Sequence, residues 1–257
     1  MEVHYHPHMP KGEKKPFSEY LLEFLMIFLA VTLGFIAESI RESITEHHKE
    51  REYMASLVAD LVADTAKLSL YEDTLSAAYQ GLDTLVTECY LPRQKMETAR
   101  MYFAYHRYCR NWYDLKLYDK TLVQLKSSGN LRLVPAEVAD TLAGLDDQIQ
   151  FFNDRMAFFL DAQTKAVDDG LMFFDYGEYR KANTGPDGQM DLHDEGFRRI
   201  GYNPPLLSYD PLALRRFAGR IGIFRNLAGM RLAGMAQCRD LLRRDIVFLQ
   251  KKYGITE

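Results

Sequence analysis

The chain has 257 residues, 47 % of them hydrophobic and 12 % aromatic, a composition that excludes a disordered or low-complexity polypeptide and suits a packed core. Its net charge of −4 is distributed in blocks, about −7 over residues 38–90, about +6 over 91–136, about −10 over 137–195 and about +8 over 196–257. The acidic blocks exclude a uniformly basic nucleic-acid-binding domain, and blocks of opposite sign pair most simply with one another when helices pack.

Residues 1–19 form a polar tail in which His4, His6 and His8 alternate. Alternating histidines can bind a transition metal loosely, but a flexible tail is the plainer reading, and no metal or cofactor is expected. Leu21–Ala37 is apolar at nearly every position, broken by Glu23 and Thr32. Residues 20–37 therefore read as a transmembrane helix, extended by Phe17 and Ile40 to the roughly 20 residues that a span needs. Glu23 stands about one turn inside the span. It is either an interfacial glutamate near Lys14 or Lys15, or a protonatable or partner-pairing group of a transport or energy-transducing complex. Ala30, Gly34 and Ala37 recur at i, i+4 and i+7, a small-residue face on which two helices can pack closely. Lys11, Lys14 and Lys15 favour a cytoplasmic N-terminus, and Arg41, Lys49 and Arg51 nearly balance them. The orientation leans slightly to a periplasmic bundle.

Residues 38–53 carry Glu, Lys and Arg at helical spacings and read as a charged helical stalk, with His47 and His48 exposed on it. From Met54 a seven-residue column begins: Met54, Leu61, Leu68, Leu75, Leu82 and Cys89. Leu57, Val58, Tyr71, Tyr79, Leu85 and Val86 broaden it into the seam of a helix in a bundle or coiled coil. Unbroken from Tyr20 to about Cys89, that helix would be on the order of 100 Å long. Pro92 ends it.

Residues 93–118 read as helical and are unusually aromatic: Tyr102, Phe103, Tyr105, Tyr108, Trp112, Tyr113 and Tyr118, with Arg100, Arg107 and Arg110 interleaved. Such a set can stack on bases, but at i, i+3 and i+4 it also makes a core face with cation–π edges, and the core reading is preferred. Asp119 can cap a short helix, and Ser127-Ser128-Gly129-Asn130 reads as its stop, with Gly129 left-handed. Pro135 opens the next helix. Val138, Leu142, Leu145, Ile149, Phe152, Met156 and Phe159 give it the cleanest periodicity in the chain, Phe151 and Phe158 suggest a second column, and it should run to about Tyr176.

Residues 177–209 form the one long irregular stretch, rich in Gly and Pro. Asn183, Asp187, Asp191 and Asp194 can be set near calcium-ligand positions with Gly188 sixth, but Gly185 stands where an oxygen ligand belongs and Asp194 replaces the bidentate Glu. A Pro186-Asp187-Gly188 turn within a short hairpin is the better account. Asp210-Pro211 then caps a last helix running to about Tyr253. Its buried face is Leu214, Phe217, Ile221, Phe224, Ala228, Met235, Leu242 and Leu249, and its ten Lys and Arg can lie against the acidic helices.

Cys89, Cys109 and Cys238 follow no metal-ligand spacing and read as buried thiols, with a Cys89–Cys109 bridge conceivable only outside the cytoplasm. No dinucleotide, phosphate-loop, hydrolase, zinc-protease or kinase signature occurs. Two passages carry a resemblance. EYLLEFLMIFLAVTLGFIAESIRE at Glu19–Glu42, followed by EHHKEREYMASLVADL, and TLVQLKSSGNLRLV at Thr121–Val134 resemble an uncharacterised family of single-pass membrane proteins found mainly in Bacteroidota. The resemblance implies a membrane location and brings no assigned activity or catalytic residues.

The expectation is an all-α protein: a tail (1–19), one transmembrane helix (20–37), a stalk (38–53) and an antiparallel bundle of about four long helices (54–257) with an irregular insertion at 177–209. The expected role is that of a membrane-anchored scaffold or interaction protein without catalytic activity, in a bacterial inner membrane. Its expected partners are the bilayer and either a second copy or another membrane protein, not nucleic acid. The alternatives are a complex subunit that uses Glu23 and a ligand sensor built on 177–209.

Overall fold

The computed structural model describes residues 17–111, 113–191 and 194–255. Among them are seven α-helices: α1 (Phe17–Cys89), α2 (Thr98–Ala104), α3 (Lys120–Ser127), α4 (Ala136–Gly170), α5 (Tyr176–Asn183), α6 (Gly196–Arg199) and α7 (Pro211–Tyr253). No strand beyond one isolated bridge, Thr184 to Met190, occurs among the described residues. The fold is all-α, as the periodicities predict. The tail with His4, His6 and His8 lies outside the described residues.

Two compact units divide the chain, the first ending at Glu52 and the second comprising Tyr53–Glu257. In the first, α1 holds a stretch long and apolar enough to cross a membrane, with mean hydropathy 2.2 over 18 residues and none of it buried. Leu22, Phe24, Ile27, Leu33 and Phe35 are all exposed there, as side chains facing lipid would be. Further along, Arg41 forks onto Glu38 and holds that carboxyl below its ordinary range. His47 pairs with Glu50 and His48 with Glu52.

The second unit is built on three long helices: α1 from Tyr53, α4 and α7. The heptad column is buried throughout, with Met54, Leu61, Leu68 and Leu82 fully inaccessible. Every residue of the expected α4 column is buried, and so is every residue of the expected α7 face. Each such aliphatic or aromatic side chain contributes about 1.5–3 kcal/mol on leaving water. Cross-helix pairs fix the directions. Lys252–Glu137, Arg231–Phe152 and Arg220–Asp169 run α7 antiparallel to α4, and Arg239–Glu72 and Arg225–Asp83 run it antiparallel to α1. The basic block of α7 thus faces the acidic blocks, as expected. Half-exposed pairs of this kind add about 1 kcal/mol or less each, so they set register more than stability.

Local signals also act where the sequence puts them. Asp210 accepts from the amides of Leu212 and Ala213 at the start of α7, and Gly254 closes that helix at φ +59°. Gly129 is left-handed after α3.

Three features differ from the sequence expectation. Phe151 and Phe158 are 52 % and 73 % exposed. Each sits about 100° around the helix from its buried neighbour Phe152 or Phe159, so it belongs to the outer face. Helix α4 stops at Gly170 instead of running to Tyr176. The third difference is larger. The helix expected over 93–118 exists only as a 3-10 turn, Arg93–Lys95, then α2 and a π-turn, Tyr105–Cys109, after which the described residues up to Asp119 are non-helical. There Tyr113, Leu115 and Leu117 are buried while Asp114, Lys116 and Tyr118 are exposed, the period of two of an extended chain.

An extended segment inside a helical bundle has no strand to bond with. Side chains take that place. The Tyr118 amide donates to Asp64 (2.7 Å) and the Leu117 amide to Asn153 (3.2 Å), while Arg231 donates to the Leu115 carbonyl (3.2 Å) and Tyr71 to that of Asp114 (2.9 Å). Gln163 donates to the carbonyls of Cys109 and Asn111. Asp64 is fully inaccessible, and burial raises its pKa against the pull of the Tyr118 amide and Lys67. Replacing it with Leu orphans a buried amide. Asp64→Leu should cost about 2–4 kcal/mol in chemical denaturation of the full chain in nanodiscs, and Asp64→Asn, which keeps an acceptor, less than half of that.

Candidate functional site

The π-turn gathers the unusual features of the second unit. Its wide ring closes through the Arg110 amide bonding to the Tyr105 carbonyl (3.1 Å), five residues back. Such turns expose side chains at angles that a regular helix does not, and they recur at functional sites. This one turns His106 into an aromatic box. The imidazole lies 4.1 Å from the Tyr179 ring, 5.0 Å from Tyr105, 5.8 Å from Phe197 and 6.1 Å from Tyr102, centroid to centroid.

His106 is 6 % exposed. Arg110 lies 2.8 Å from its Nδ1, and because a guanidinium only donates, Nδ1 accepts. The proton of the neutral ring then sits on Nε2, which is buried and meets no partner. Burial, reinforced by the Arg110 charge, lowers the His106 pKa to about 3. The ring is neutral at any ordinary pH.

Opposite it stands the 177–209 stretch, whose described residues include regular elements. Helices α5 and α6 lie within it, and between them Gly188 at φ +76° closes the expected turn by donating to the Gly185 carbonyl. Asn183, 1 % exposed, accepts from the Gly196 amide and donates to the Tyr179 carbonyl. Asp194 is buried at φ +59°, a left-handed conformation that costs a non-glycine residue about 1 kcal/mol or more. Burial raises its pKa, while Tyr179, Arg107 and Arg110 pull it down. Burial and Asp194 together push Tyr179 up to about 12.

The stretch is fastened to α2 at several points. Thr98 donates to the Pro204 carbonyl (2.6 Å), Asn203 accepts from the Ala99 amide (3.1 Å), and Tyr102 donates to the Pro205 carbonyl (3.0 Å) while accepting from the Asp175 amide (2.9 Å). Tyr105 reaches the Val167 carbonyl at 2.7 Å. Its ring passes so close to Gly170 that a Cβ there would lie 2.1 Å from it, which fixes a glycine at the end of α4.

The sequence-expected residues fall as follows. Arg110 does join an aromatic ring, that of Tyr179, as the core reading predicts, whereas Arg107 acts through its charge on Asp194 and Arg100 pairs with Glu88 and Glu97. Trp112 lies outside the described residues. The calcium-loop residues do not converge: Asn183 is used as above, Asp187 turns back on the Gln189 amide, and Asp191 pairs with Arg199. Among the described residues no group of three or more His, Cys, Asp or Glu is placed to hold a metal. Cys89, Cys109 and Cys238 are free and buried, with thiol pKa values pushed up, to about 12 for Cys89 and about 11 for Cys238. Glu23, Ala30, Gly34 and Ala37 are exposed on α1, and a Cβ at Gly34 would meet nothing within 4 Å.

At the π-turn the neutral His106 offers a ring face and a buried N–H. A histidine with its pKa near 3 is a poor base at neutral pH, and the buried thiols are poor nucleophiles. No family model, curated protein or solved structure matches the chain.

The His106 box has a pH signature. The imidazole pKa is about 3 folded and about 6.5 unfolded, so between those values the unfolded chain binds the extra proton and stability falls as the pH drops. Between pH 6.5 and 5 the loss from this residue should reach about 1–2 kcal/mol. Asp194 and Asp245, whose pKa values are raised, act in the opposite sense. His106→Gln, neutral throughout, should therefore melt with a flatter acid dependence than the wild type, a comparison that cancels the aspartates.

Proposed function

We propose that the chain is a membrane-anchored, non-catalytic interaction module, held in a bacterial inner membrane by residues 20–37 and presenting a helical bundle to a partner. The observation that carries this reading is the two-part character of α1. One helix holds an unburied apolar stretch fit for a bilayer and, from Met54, a fully buried heptad seam. Self-association through the face of Ala30, Gly34 and Ala37 fits the open space around Gly34. Lys11, Lys14 and Lys15 support a cytoplasmic N-terminus and a periplasmic bundle, a slight lean that Arg41, Lys49 and Arg51 nearly balance. The kinship with single-pass proteins of Bacteroidota rests on the two resembling passages.

A second reading, ligand sensing through 177–209, is supported by the way Tyr179, Asp194 and Phe197 close on His106. The use of Glu23 in an energy-transducing complex rests on the sequence alone.

Cross-linking in the native membrane should trap the chain with a second copy or a partner. Gly34→Leu, which fills the small-residue face, should lower any self-cross-linked fraction several-fold without changing insertion. A chain that remains a lone monomer under all cross-linking conditions would remove the reading.

A further inference from the structure

Between α4 and α7 lies an open groove of about 580 Å³, a size typical of small-molecule sites. The sequence expectation places Phe151 and Phe158 in the core, but they stand at its rim, with Met230 exposed across from them. Buried Phe152 and Phe159 form its floor. Four phenyl rings from one helix thus wall a space that none of the described residues fills.

Two guanidiniums face the same space. Arg231, 9 % exposed, lies 4.2 Å over Phe152, and two of its N–H groups go to the carbonyls of Phe152 and Leu115. Arg155 lies 4.0 Å over Phe151 at the rim. Among the described residues, neither makes an ion pair with a carboxylate. Arg231 feels the charge of Asp114 but its N–H groups bond to carbonyls, and a planar fork of donors is the group best matched to a carboxylate. Burial lowers the Arg231 pKa to about 10, so the side chain stays cationic at neutral pH.

A glycine holds the groove open. Gly234 lines it in mid-helix, where glycine weakens α7, yet a Cβ there would meet no atom within 4 Å. No close packing requires that glycine, and what its missing side chain leaves is room in the groove.

We propose that the α4–α7 groove is a binding site for an aromatic carboxylate, its ring between the phenylalanines and its carboxylate on Arg155 and Arg231. The phenyl walls select a flat apolar body over an acyl chain, and the guanidiniums select an anion over a neutral ring. The site shares no lining residue with the π-turn box.

The test is calorimetric titration of the full chain in phosphatidylcholine nanodiscs with 2-naphthoate, with empty nanodiscs as the reference. Saturable one-to-one binding is expected, with 2-naphthamide at least about tenfold weaker and inorganic phosphate not bound. Arg231→Gln should weaken 2-naphthoate about tenfold or more. Because Arg231 also holds Leu115, Gly234→Leu is the decisive variant. It fills the groove at a position with open space, so it should abolish binding while leaving the melting temperature equal or higher. No saturable binding, equal binding of the amide, or undiminished binding to Gly234→Leu would overturn the proposal. So would a stable dimer through this face that 2-naphthoate does not displace.

Discussion

The second unit depends on how a non-helical segment is held inside a helical bundle. The extended residues 113–118 run among three long helices that have already satisfied their own backbones. Its amides and carbonyls cannot be left bare in an apolar interior, where each orphan costs about 1–3 kcal/mol. Each helix therefore contributes polar side chains to it: Asp64 and Tyr71 from α1, Asn153 and Gln163 from α4, and Arg231 from α7. Asp64, Gln163 and Arg231 are three of the few polar residues buried in the unit, and all three are spent on this one segment. Apolar residues would pack as well at those positions, but they would not hold it.

What the segment positions follows from its two ends. At its start the helix widens into the π-turn, and Gln163 takes the carbonyls that the widening frees. The turn in turn rotates His106 into the aromatic box and aims Tyr105 across Gly170 at the end of α4. Helices α5 and α6 then close over the box. At the other end Thr121 donates to Asp60, which seats α3 against α1 directly after Tyr118. The same Arg231 that holds Leu115 forms the cationic floor of the α4–α7 groove, so the support of the fold and the chemistry of the groove share a residue.

Much of this architecture was legible, and the rest has identifiable causes. The columns of α1, α4 and α7 were legible because long runs at heptad spacing bury one way only. The caps at Asp210 and Gly129 were legible because each has a specific backbone requirement. The extended segment carries its own signal, Tyr113-Asp114-Leu115-Lys116-Leu117-Tyr118, a clear period of two. It was masked by aromatic residues upstream that also fit a helical spacing. The polar supports were missed, although each interrupts a core column: Asp64 continues Leu57 and Leu61, Gln163 continues Met156 and Phe159, and Arg231 continues Phe224 and Ala228. Phe151 and Phe158 show the converse ambiguity, since a residue beside a core position looks apolar for either of two reasons. Nothing in the sequence marks the left-handed backbone of Asp194, which is set by what packs around it. Nor could the groove at Gly234 be seen before two helices were placed side by side.

The account is tested most directly by the backbone conformation of residues 113–118 in the intact chain. Selective ¹³C labelling of leucine in nanodisc-embedded protein reads it at Leu115 and Leu117. The account predicts Cα and Cβ shifts in the extended range at both residues, beside helical shifts at Leu142 and Leu145. Helical shifts at Leu115 and Leu117 would mean that α2 continues through the segment. Asp64, Gln163 and Arg231 would then have no backbone to hold, and the account would fail.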